Sequence, residues 1–148
     1  MVAVRYQTAF KLYPYERVAD QDAPGPKRHR VVIIGGGPIG MGLALDLGKK
    51  GVDALVLDDH DGVGAGSRAI CFAKRTLEIC DRLGCGDPMV EKGVVWNLGR
   101  VYREEKEVYT FNLLPEEGHK RPAFINLQQP YFEQFIVEEI RRQQAQGL

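Results

Sequence analysis

Val31-Val32-Ile33-Ile34-Gly35-Gly36-Gly37-Pro38-Ile39-Gly40 is the stretch that decides the fold. Its first four residues are β-branched and apolar without alternation, which reads as a parallel strand buried on both faces. The run breaks at Gly35. Pro38 stands where a first helical turn opens, its φ already set and its missing N–H of no consequence there. The spacing predicts a helix from Pro38 to about Lys50, with Gly51 placed to end it in the left-handed conformation. Ile39, Met41, Leu43, Ala44, Leu45 and Leu47 make this helix apolar nearly all round, so it has to be buried between layers. A second apolar run, Ala54 to Leu57, ends in Asp58 and Asp59. Strand, helix and strand in this order form a βαβ unit with a parallel pair.

Gly35, Gly37 and Gly40 stand as G-x-G-x-x-G between the first strand and the helix, the context in which the pattern binds a dinucleotide. Gly35 allows the tight turn, Gly37 lets backbone approach a pyrophosphate, and Gly40 lets helix and strand pack closely. The helix start at Pro38 and Ile39 offers the unpaired N–H groups that follow the proline, and a partial positive charge, to phosphates. Asp58 follows Gly40 by 18 residues, at the end of the second strand. A carboxylate there accepts hydrogen bonds from the adenosine ribose, and with Asp59 beside it repels a 2′-phosphate. FAD or NAD fits this pair better than NADP.

Outward from this unit, residues 1–30 hold Pro14, Pro24 and Pro26 and end in Lys27-Arg28-His29-Arg30, without a sustained period. They read as an N-terminal arm lying over the domain, with Tyr6, Tyr13 and Tyr15 available to pack. After a Gly-rich loop (Asp61 to Gly66), Phe72 to Leu83 repeats apolar residues at helical spacing and stops at Gly84. Strand-like pieces at Val94–Trp96, Val101–Tyr102 and Val108–Phe111 suggest a β-meander. Phe124 to Leu127 is a further strand candidate, and Phe132, Phe135, Ile136 and Ile140 form one helical stripe running toward Gly147. No return strand follows that helix, so the expectation is an α/β, Rossmann-like fold that is incomplete at its C-terminus, with residues 31–148 as the binding domain.

The chain has 148 residues, 20 basic and 20 acidic, and a formal net charge of zero, which gives nucleic acid no electrostatic footprint. Its 44% hydrophobic and 27% charged residues are those of an ordinary folded domain. Cys71, Cys80 and Cys85 are odd in number and form no CxxC pair, which suits free thiols in a reducing compartment. Neither a secretory signal nor an apolar run of membrane-spanning length is present, so the expected location is cytoplasmic. His29, His60 and His119 lack metal-ligand spacing, Glu116 and Glu117 suit a solvated loop, and Trp96 suits packing. None of these residues is assigned as a catalytic acid or base.

Gly35-Gly36-Gly37-Pro38-Ile39-Gly40, then Gly66-Ser67-Arg68-Ala69, Arg75-Thr76-Leu77-Glu78, and finally Gln129 with Phe132-Glu133, resemble the FAD-dependent aromatic-ring hydroxylases of the p-hydroxybenzoate and 3-(3-hydroxyphenyl)propionate type. The resemblance covers about residues 31 to 145. It implies that Gly35, Gly37, Pro38, Ile39 and Gly40 hold the FAD pyrophosphate and that Asp58 holds the ribose. It also implies that Arg68 reaches the cofactor from the loop after the second strand and that Gln129 contacts the ribityl side of the flavin. Gln128 leaves that last register open by one. The full enzymes hydroxylate a small phenolic substrate with NADH or NADPH and O₂. The family's second Asp-Gly motif and its late Gly-Asp motif are not in this chain, so the expectation is an N-terminal piece, inactive alone. Another FAD- or NAD-linked oxidoreductase, or a truncated product without enzymatic activity, are the alternatives.

Overall fold

The opening strand β1 (Val32–Ile34) pairs in parallel with β2 (Leu55–Leu57), Val32 opposite Leu55 and Ile34 opposite Leu57, and α1 (Pro38–Gly48) connects them. The computed structural model describes Tyr13 and residues 17–60, 62–63 and 69–147. α1 ends at Gly48, slightly short of the expected Lys50, and Gly51 is left-handed as expected, with φ +68°. The expected burial differs. Of the first strand only Ile33 is buried, while Ile34 is 79% exposed, and in α1 Met41 and Leu45 are buried while Ile39 is 85% exposed. The described helices after β2 cover one side of the βαβ unit; the other side keeps its apolar residues at the surface.

After β2 come β3 (Cys71–Ala73), α2 (Lys74–Leu83), α3 (Gly86–Lys92), β4 (Val94–Trp96), β5 (Leu98–Arg103), β6 (Lys106–Asn112), β7 (Phe124–Asn126) and α4 (Gln129–Ala145). The β-rich stretch expected after Gly93 is present, but its strands divide between two sheets. β4 joins β3 and β7 in the antiparallel order β3-β7-β4, and β5 with β6 makes a separate hairpin. The helix expected from Phe72 starts at Lys74, because Phe72 is drawn into β3 opposite Ile125. There its ring stacks on Phe132 of α4, centroids 4.3 Å apart and planes 5° apart.

Met41 and Leu45 meet Leu77, Met89, Ile125 and Ile136 in one core, the region that excludes most water. α2 ends in a Schellman turn: Gly84 has φ +98°, its N–H donates to the Asp81 carbonyl at 3.0 Å, and the Cys85 N–H donates to the Cys80 carbonyl at 2.9 Å. Cys80 and Cys85 are buried and Cys71 is exposed, all three free thiols. Between α2 and α3 the buried Arg121 guanidinium donates to Asp81 and Asp87. That contact holds the Asp81 carboxyl below the usual carboxylate range. Of the arm, Tyr13 lies with its ring under Arg141 of α4, 4.6 Å from the guanidinium, while Tyr6 and Tyr15 fall outside the described residues.

Candidate functional site

Gly35 begins the site by leaving β1 with φ +105°, a conformation that only glycine adopts without strain. Its N–H donates to the Leu57 carbonyl at 2.8 Å, so the turn stays fastened to β2. A Cβ on Gly40 would overlap the Gly35 carbonyl oxygen, the close helix–strand approach expected of this position. A Cβ on Gly37 would meet nothing within 4 Å and would fill open space over the loop. Gly37 is the N-cap of α1, Pro38 is in the first turn, and no side chain caps the helix. The N–H groups of Ile39 and Gly40 therefore have no intrahelical acceptor and point out at the positive end of the helix dipole.

Asp58, directly after β2, faces this loop. Its Oδ2 accepts from the Gly36 N–H at 2.5 Å and its Oδ1 accepts from the His60 N–H at 2.9 Å. These two donors, Gly36 first, hold its carboxyl below the ordinary aspartate value, so it is an ionised acceptor at neutral pH. Asp59 turns outward to the His60 ring at 2.7 Å. A cleft of about 590 Å³ adjoins Gly36, Asp58 and His60 and extends to Arg141 and Gln144 of α4. The functional reading of the sequence omitted Gly36 and the His60 amide, because both act through contacts that no spacing rule encodes.

The two later predicted positions, one before β3 and one after β7, come from the same end of the antiparallel β3–β7 pairing. The Leu127 N–H donates to the Ile70 carbonyl at 2.7 Å, and the Gln129 N–H donates to the Ala69 carbonyl at 3.2 Å. Backbone next to position 68 is thereby tied to the start of α4; Arg68 itself lies outside the described residues. Gln129 is buried and Gln128 is exposed, and the Gln129 Nε2 donates to Glu133 Oε1 at 2.7 Å. At the other end of α4, a Cβ on Gly48 would touch Gln143 Oε1 at 3.7 Å. There the C-terminal end of α1 lies beside the C-terminal part of α4.

A family model described as an FAD binding domain matches residues 28–147. The chain belongs to this family. The FAD-binding domain is 40% identical over 72 residues to 6-methylpretetramide 4-monooxygenase of Streptomyces rimosus, an alignment covering 49% of this chain and 12% of that protein. Its fold superposes on the crystal structure of p-nitrophenol 4-monooxygenase PnpA from Pseudomonas putida DLL-E4 with a TM-score of 0.68 and 30% identity, covering 77% of this chain and 29% of that one. The flavin-dependent monooxygenase PieE, solved in complex with FAD and substrate, gives a TM-score of 0.65 at 27% identity, covering 79% of this chain and 22% of that one. The chain therefore spans less than a third of the length of these proteins.

The residues present fit FAD. Open space over Gly37, free first-turn N–H groups and an ionised Asp58 bonded across to the same loop match a pyrophosphate joined to a ribose without a 2′-phosphate. Among the described residues, no helix of the FAD-binding domain is long and apolar enough to cross a membrane.

Proposed function

We propose that residues 31–148 are the FAD-binding portion of a monooxygenase that hydroxylates a small aromatic, phenolic substrate, with residues 1–30 an arm against it. One observation carries this reading: Asp58 is held ionised by an N–H of the same glycine loop that opens α1, so phosphate cradle and ribose acceptor are built as a single unit. In it the loop and first helical turn formed by Gly35, Gly37, Pro38, Ile39 and Gly40 take the pyrophosphate, with the Ile39 and Gly40 N–H groups as donors. Asp58 accepts from the ribose hydroxyls, Arg68 reaches the cofactor from its loop, and Gln129 contacts the ribityl side. Bound FAD supplies the redox chemistry, taking electrons from NADH or NADPH and passing them to O₂ for ring hydroxylation. The chain's own residues bind and orient the cofactor and shield it from water. The aromatic substrate class is supported by the p-nitrophenol 4-monooxygenase that this fold superposes on. The free thiols suit a cytoplasmic enzyme.

The test is an absorbance spectrum of the chain after incubation with FAD and desalting, beside a Gly37→Asp variant that sets a carboxylate against the pyrophosphate. Flavin bands retained by the wild-type chain and lost by the variant are expected, with little or no NAD(P)H-dependent hydroxylation by this chain alone. A folded chain that retains no flavin, or a Gly37→Asp variant that retains it equally, overturns the reading.

A further inference from the structure

We infer that Glu133 is a positioning residue that orients the Gln129 amide toward the flavin's hydroxylated side chain, an assignment that rests on the proposed ribityl contact of Gln129. The two residues lie one turn apart on the buried side of α4, Gln129 only 8% exposed and Glu133 only 4%. Toward Gln129 the Glu133 carboxylate supplies direction. It only accepts hydrogen bonds, so the Gln129 group 2.7 Å from Glu133 Oε1 has to be the NH₂, and the carbonyl oxygen has to face the other way.

The rest of Gln129 is equally fixed. Its backbone N–H is held by the Ala69 carbonyl, and Phe132, between the two residues, stacks on Phe72. Among the described residues nothing donates to Gln129 Oε1. An acceptor held in one orientation selects a donor, and the hydroxyl groups of a polyol chain are such donors. Glutamine at position 133 would fill the same volume, but its amide both donates and accepts, so Gln129 could turn over and present its NH₂ instead.

The test is a double-mutant cycle on FAD binding, read by flavin fluorescence and by the visible circular dichroism of bound flavin. Glu133→Gln is expected to weaken FAD binding about tenfold and change the visible dichroism with the thermal midpoint retained, and to add nothing in a Gln129→Leu background. Effects that add, or an unaffected Glu133→Gln beside a weakened Gln129→Leu, overturn the assignment of Glu133. If Gln129→Leu itself binds FAD normally, the ribityl reading of Gln129 falls instead. A second measurement needs no cofactor: in the ¹⁵N spectrum of the apo chain the Gln129 NH₂ should exchange slowly and lose that protection in Glu133→Gln. A Gln129 NH₂ that exchanges as fast as that of the exposed Gln128 in the wild-type chain also overturns it.

Discussion

Gly36 is the glycine that the G-x-G-x-x-G pattern leaves unspecified, yet it fastens the loop to Asp58. A Cβ there would lie 3.2 Å from both Cβ and Oδ2 of Asp58, tighter than ordinary contact. Gly36→Ala should push the carboxylate away and lower FAD affinity by roughly tenfold, about 1.4 kcal/mol, with the thermal midpoint little changed. Isothermal titration of FAD into both proteins measures this. The pH dependence follows from the same contact. The Asp58 carboxyl is lowered in the folded state, so its contribution is complete above the ordinary aspartate value and is lost as pH falls through the lowered one. FAD affinity should therefore stay flat from about pH 8 to about pH 5 and fall only below about pH 4, whereas Asp58→Asn should be weaker and lack that acid limb. Fluorescence titrations across pH separate the two curves. Asp58 was legible in the sequence because its distance from the glycines is set by one helix and one strand. Gly36 and Glu133 were not, since each is defined by a side-chain contact rather than by spacing.

At the scale of elements, the sequence showed what local rules control and missed what partners impose. α1 and its glycine stop were legible from apolar spacing and from Pro38. β3 was not: Cys71 to Ala73 continue the helical pattern of α2, and only pairing with β7 pulls them straight. α3 was missed, no element being expected between Gly84 and Gly93; Pro88 in its first turn gives up no hydrogen bond there. The stop of α2 makes a sharper prediction. Gly84 is left-handed, and a Cβ on it would come 2.6 Å from Glu139 Oε1 of α4. Gly84→Ala should destabilise the fold by about 2 kcal/mol, from the left-handed penalty and the displaced carboxylate together. Urea unfolding of wild type and variant is the measurement; an unchanged midpoint contradicts it.

For the whole molecule, the surface beside β1 decides behaviour in solution. Ile34 and Ile39 are 79% and 85% exposed, Val32 and Leu43 are each 47% exposed, and among the described residues β1 pairs only with β2. An apolar strand edge of this kind is a template for association. The chain should self-associate with rising concentration, and an Ile34→Lys, Ile39→Lys double variant should not; sedimentation velocity distinguishes them.

The unequal placement of the three thiols supplies a gauge of the folded state. Cys80 and Cys85 close the Schellman turn inside the core at 3% and 1% exposure, while Cys71 stands at the surface with its Sγ against Asn126 Oδ1. An alkylating reagent therefore meets one sulfur in the native molecule and three in the unfolded one. Mass spectrometry after a brief pulse should show a single adduct on the folded chain. The second and third adducts then mark opening of the α2–α4 core and should appear together, because both sulfurs are sealed by the same turn.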